Sequence, residues 1–208
     1  MIEHYTLCFI TSENGNPVEE AEAALQGGAG MIQLRRKNAS GRELFELSTA
    51  LIQRCHAHNA LLIVNDRLDI ALASGADGVH VGQDDLPVTT ARQLLPPGRI
   101  VGCSAYSIDE AVSAERDGAD YIGAGHIFET GSKEKHDPPL GPPAIARFKE
   151  AVSIPIIAIG GITENNAPEI IRHGADGIAV ISAIAASSDP RHAAQRLMHL
   201  FTTDTNRS

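Results

Sequence analysis

Two carboxylates, Asp66 and Asp85, stand in short polar runs, Asn65-Asp66-Arg67 and Gly82-Gln83-Asp84-Asp85. Such a pair suits a hard cation such as Mg²⁺, which takes one or two carboxylates and completes its shell with water and phosphate oxygens. The competing reading of Asp66 is a helix cap. Arg35 and Lys37 fall in Gln33-Leu34-Arg35-Arg36-Lys37, and Lys133 ends the run that starts at Gly125. Runs of charge usually face solvent. In an acidic chain these three could instead hold an anion such as a diphosphate. Gly160-Gly161 and Ile181-Ser182 each follow an apolar run. Backbone N–H groups there suit a phosphate, because glycine permits close approach. His126 is followed by Glu129, Thr130 and Ser132. An imidazole, with an ordinary pKa of about 6.5, can move a proton at neutral pH. A lone strand histidine is more often packed and hydrogen-bonded, and His80 reads that way. Cys55, His56 and His58 look like a ligand set, but they end a helix pattern far from the other groups.

What must position these residues is a repeat. Gly-Ala-(Asp/Gly) followed by a short apolar run occurs four times, starting at Gly28, Gly75, Gly118 and Gly174. The spacings of 47, 43 and 56 positions each leave room for two βα units. Four copies of a two-unit repeat give a parallel (β/α)₈ TIM barrel, an α/β fold, spanning 1–208 as one domain. The expected strands are Tyr5–Ile10, Met31–Leu34, Leu61–Val64, Gly78–Val81, Ile100–Cys103, Tyr121–Gly123, Ile156–Ile159 and Gly177–Ile181. Several are apolar at successive residues, as strands covered on both faces must be. Helix patterns occupy Val18–Gln26, Gly41–His58, Ile108–Asp117, Pro142–Val152, Thr163–His173 and Pro190–Phe201. An open doubly wound sheet would want Gly-x-Gly-x-x-Gly after strand 1, where Thr11-Ser12-Glu13-Asn14-Gly15 stands instead. The barrel places every polar run above at one rim, after the strands, and leaves the Gly-Ala-Asp turns at the other as structure.

The formal net charge of −9 and pI near 5.4 give no electrostatic footprint for nucleic acid. Three separated cysteines read as reduced thiols. No apolar run approaches the ~20 residues that span a bilayer, and the polar start is no signal peptide, so the expected location is the cytoplasm, with no membrane partner.

In order along the chain stand Gln-Leu-Arg-x-Lys, Asn-Asp-Arg, Gly-Val-His-Val-Gly-Gln-x-Asp, Gly-x-Ser-Ala, the loop ending in Lys133, Ala-Ile-Gly-Gly-Ile and Gly-Ile-Ala-Val-Ile-Ser-Ala-Ile. Together they resemble the thiamin phosphate synthase / TenI superfamily over nearly the whole chain. The resemblance implies a (β/α)₈ enzyme of bacterial thiamin biosynthesis, acting on a small thiazole phosphate, and a homodimer. For a synthase it implies that Gln33, Arg35, Lys37, Asn65, Ser104, Thr130 and Lys133 bind the pyrimidine and its diphosphate. Asp66 and Asp85 would then hold Mg²⁺. For a TenI-type thiazole tautomerase, which needs no cofactor, it implies His126 as the acid/base, in a run like Gly125-His126-Ile127-Phe128-Glu129-Thr130. The synthase usually carries Pro at the His126 and Glu129 positions. Arg36 replaces its usual acid, Ser132 its second threonine, and the stretch from Lys133 to Pro139 is about a residue longer. Departing diphosphate calls for cation and basic side chains, to which a neutral imidazole adds little. His126 is therefore better explained by proton transfer, and the expectation is the tautomerase, with the synthase as the alternative. A non-catalytic thiazole-phosphate-binding regulator is the third reading. In each, Gly160, Gly161, Ile181 and Ser182 hold the phosphate.

Overall fold

The computed structural model describes residues 6–131 and 138–204, the last three by backbone alone. Eight parallel strands close into a barrel in sequence order: β1 (Leu7–Ile10), β2 (Met31–Leu34), β3 (Leu61–Asn65), β4 (Gly78–Val81), β5 (Ile100–Ala105), β6 (Tyr121–Ala124), β7 (Ile156–Ile159) and β8 (Gly177–Val180). The register runs from Cys8 beside Met31 round to Cys8 beside Ala179, so no edge is left open. Outside lie α1 (Pro17–Gln26), α2 (Gly41–Ala57), α3 (Leu68–Ser74), α4 (Val88–Leu94), α5 (Ile108–Arg116), α6 (Pro143–Ala151), α7 (Ala167–Arg172), α8 (Ser182–Ala185) and α9 (Pro190–Asp204). The expected (β/α)₈ barrel is the fold.

Strand alternation makes two cores. Leu7, Phe9, Ile32, Leu34, Val79, Val101 and Ile122 turn outward onto the helices. Cys8, Ile10, Met31, Ile63, Ile100, Tyr121, Ile157 and Ala179 turn inward and fill the barrel. The same parity aims Gln33 inward on β2 and Ser104 inward on β5.

Helix ends follow local chemistry. Ser40 caps α2 by accepting from the Glu43 N–H at 3.2 Å. Ser107 and Glu110 form a capping box at α5. The sequence reading missed α3 and α4, two seven-residue helices with no side-chain cap bond to announce them. Asp66 does not cap α3. Arg67 holds that position, and Asp66 has a left-handed backbone with φ of 61°.

The Gly-Ala-Asp turns clamp the far rim, as expected. Asp77, Asp120 and Asp176 each accept an N–H from the strand before the helix they follow: Leu62 at 2.8 Å, Val101 at 2.7 Å and Ile156 at 2.7 Å. Their own N–H groups return to the carbonyls of the same three residues. Each carboxylate also pairs with a base: Asp77 with His56 and Arg99, Asp120 with Arg92, Asp176 with Lys149.

Candidate active site

A cavity opens at the carboxyl ends of the strands and encloses about 890 Å³, counted out to its mouth. Its base is apolar: Cys8, Ile10, Ile157, Ile159 and Ala179. Gln33, Ser104 and Thr130 bring polar groups to its walls. Gly160, Gly161, Ile181 and Ser182 line it where β7 and β8 end, and His126 lines it from the loop after β6. An apolar pocket with a few convergent polar groups is the ordinary form of a small-molecule site.

His80 and Tyr121 also line the cavity, and the sequence reading had not placed them there. His80 is packed and hydrogen-bonded, as a strand histidine should be. Its partners are what matter: Nδ1 lies 2.9 Å from Tyr121 Oη and Nε2 lies 2.9 Å from Ser104 Oγ. Gln83 Nε2 donates to the Ser104 carbonyl at 2.7 Å. The backbone and the hydroxyl of Ser104 are thus both held.

Arg35, Lys37, Asn65, Asp66 and Asp85 lie outside the residues that wall the cavity. They stand on the consecutive loops after β2, β3 and β4. Arg35 is only 7% exposed. Its N–H donates to Thr11 Oγ1 at 2.9 Å, and its carbonyl accepts from that hydroxyl at 3.1 Å. Glu13 sits 3.6 Å from the Arg35 guanidinium and accepts N–H bonds from Lys37 and Asn38 at 3.2 and 3.1 Å. Burial pushes the Glu13 carboxyl up, but those N–H groups and the charges of Arg35 and Arg36 outweigh it and hold it below the usual range. Arg36, in place of the expected acid, turns to the loop after β1 and donates to the Gly15 carbonyl at 2.7 Å. Asp85 Oδ2 accepts from the Gly82 N–H at 2.7 Å, closing the loop after β4. The Asp66 N–H donates to the His80 carbonyl at 2.8 Å, which fastens the start of the loop after β3 to strand β4. Lys133 lies outside the described residues.

Gly160 and Gly161 have left-handed backbones, with φ of 100° and 65°. They also lie under the loop after β6. A Cβ on Gly160 would strike the His126 backbone, and one on Gly161 would strike the Glu129 carbonyl. The Ile127 and Phe128 N–H groups bond the carbonyls of Ile159 and Gly160 at 2.9 and 3.1 Å. The glycines therefore serve packing as well as any anion. His126 is 4% exposed, follows a cis peptide bond, and lies 6.2 Å from Tyr106, ring to ring. Its Nδ1 has no hydrogen-bond partner among the described residues. Among the described residues no carboxylate meets Nδ1 to orient the ring, as a general base would want.

The three thiols are buried, and burial pushes Cys8 and Cys55 up to about 12 and Cys103 to about 11. They stay protonated at neutral pH and are poor nucleophiles. Cys55, His56 and His58 do not converge: Cys55 is in the core, His56 meets Asp77 and His58 meets Glu22. Among the described residues no three His, Cys, Asp or Glu side chains gather as a metal cluster.

A family described as thiamine monophosphate synthase matches residues 7–184. A thiamine-phosphate synthase of Chlorobium luteolum is 59% identical over 95% of this chain and 93% of its own. One from Methanospirillum hungatei is 49% identical over 88% and 89%. Among solved structures, a thiamine phosphate pyrophosphorylase from Pyrococcus furiosus superimposes with a TM-score of 0.89 at 41% identity, covering 97% of both chains. These likenesses overturn the expectation of a thiazole tautomerase, an isomerase, and support the synthase. That expectation weighed one rim imidazole above the whole set of diphosphate-binding side chains. His126, nearly buried and with no partner at Nδ1 among the described residues, does not carry such weight. By the extent of the match and the identity of its relatives, the chain belongs to the thiamine monophosphate synthase family.

Proposed function

We propose that the chain is a thiamin phosphate synthase, a transferase of the cytoplasm. It would join a hydroxymethylpyrimidine diphosphate to a thiazole phosphate and release pyrophosphate. The observation that carries this reading is the division of the rim. Polar side chains on β2 and β5 wall the cavity, basic and acidic groups stand together on the loops after β2 to β4, and a second, backbone-lined corner lies at β7 and β8. Two anionic substrates need two such places. Gln33, Ser104 and Thr130 would meet the pyrimidine. Arg35, Lys37, Asn65 and Lys133 would meet its diphosphate. The amides near Gly160, Gly161, Ile181 and Ser182 would hold the thiazole phosphate.

In bond terms, the C–O bond from the pyrimidine methylene to the diphosphate breaks, and the oxygen leaves with the electron pair. The lone pair of the thiazole nitrogen makes the new C–N bond. No proton changes hands, so no side chain need act as acid or base. The requirement is to orient the two rings and neutralise the leaving anion. Asp66 and Asp85 suit Mg²⁺: both are hard oxygen donors on the adjacent loops after β3 and β4, with diphosphate oxygens to complete the shell. When bound, the ion would stabilise charge on the leaving group.

The test is to mix both substrates and follow pyrophosphate release with and without Mg²⁺. Asp85→Asn and Asp66→Asn are expected to lower turnover on the order of 10²-fold, as loss of a charge-stabilising group does. His126→Asn should stay within a few-fold, since no proton moves. Full activity after chelation, or isomerisation of a thiazole phosphate with no pyrophosphate formed, would refute the reading.

A further inference from the structure

Tyr121 lies at the base of the cavity and is buried. Among the described residues its hydroxyl meets one side chain, His80, at Nδ1. Burial first, and then Cys8, Cys103 and Asp120, raises the phenol well above its ordinary value, so the oxygen keeps its proton throughout the neutral range. A buried O–H without an acceptor is costlier than a lone pair without a donor. Tyr121 therefore donates and Nδ1 accepts. An imidazole with a bare Nδ1 carries its proton on Nε2, and that N–H points at Ser104 Oγ. Ser104 accepts there and still has its own proton to give. Its hydroxyl borders the cavity.

We propose that Tyr121 and His80 are positioning residues that fix the Ser104 hydroxyl as a hydrogen-bond donor to an unprotonated ring nitrogen of the heteroaromatic substrate. A ring N–H or an exocyclic amine at that point would meet donor with donor, so the chain of bonds selects one orientation and one tautomer of the ring. That the ring is a pyrimidine rests on the synthase reading; the direction of the hydroxyl does not. The barrel makes room for this chain with glycines of the same inward parity. A Cβ on Gly102 would fall on the Tyr121 ring and hydroxyl, and one on Gly123 would come within 2.9 Å of His80 Cε1. Gln83 holds the Ser104 carbonyl from the next loop.

Two measurements test the proposal. Long-range proton–nitrogen spectra of the unliganded chain, with His80 assigned through His80→Gln, should show the neutral Nε2–H tautomer at neutral pH. The Nδ1–H tautomer or an imidazolium would overturn the proposal. In kinetics, Tyr121→Phe should raise KM for the pyrimidine diphosphate by roughly three- to tenfold, the worth of one hydrogen bond. KM for the thiazole phosphate should not change. In a Ser104→Ala background the same substitution should add nothing. Equal cost in both backgrounds would make Tyr121 a general packing residue and sink the idea. Absent pyrophosphate release with the Nε2–H tautomer intact would count against the synthase alone.

Discussion

Glu13, on the loop after β1, is an acid beside the cations proposed to hold the diphosphate. Its charge 3.6 Å from Arg35 opposes an incoming diphosphate. Its bonds to the Lys37 and Asn38 N–H groups fix the loop that carries the cations. Charge-assisted bonds contribute roughly 1.5–3 kcal/mol, whereas a half-exposed like charge is screened to about 1 kcal/mol or less. Loop order should win. Glu13→Ala is expected to raise KM for the pyrimidine diphosphate several-fold, and Glu13→Gln, which keeps an acceptor, to raise it less; steady-state kinetics would show it. Much at this scale was legible. Gln33 and Ser104 wall the cavity because polar residues at inward positions near strand ends have nowhere else to face, and Thr130 joins them from the loop after β6. His80 and Tyr121 were not legible as a pair. Each sits within an apolar strand, and closure of β4, β5 and β6 alone brings them together. The signal was the alternation itself, since His80, Gly102, Ser104, Tyr121 and Gly123 share one face.

Among the elements, α5 shows how an outer helix secures a strand. Glu115 accepts from the Ser153 N–H at 2.8 Å, from its hydroxyl at 2.5 Å, and from the Ile154 N–H at 3.2 Å. It thereby binds the turn that leads into β7. The Ser153 hydroxyl and N–H hold its carboxyl below the usual range. A carboxyl lowered in the folded state adds stability that is complete above the ordinary glutamate value and is lost as pH falls through the lowered one. Glu115→Gln should therefore lower Tm at pH 7, and the gap from the parent should close between about pH 5 and 3. A gap that does not narrow in acid would show that packing, not charge, is at stake. Long elements with caps, α2 and α5, were readable. The seven-residue α3 and α4 were not, because so few residues show no periodicity.

For the molecule as a whole, chemistry and cohesion occupy opposite rims. The repeat was legible because left-handed glycines, with φ of 96°, 74°, 98° and 92°, recur before β2, β4, β6 and β8. The activity was not, because it depends on how many groups cooperate rather than on any one of them. The aspartate clamps carry a consequence for connectivity. Each joins two strands of one βαβ quarter: β3 to β4, β5 to β6, β7 to β8. Between the second and third quarters the chain passes Pro97 and Gly98, an exposed turn spanned by side-chain pairs, Arg99 with Asp77 and Arg92 with Asp120. Severing it there should leave two half-rings that find each other. Co-expressed fragments 1–97 and 98–208 are expected to co-purify as a two-chain enzyme, and separate insoluble halves would disprove it.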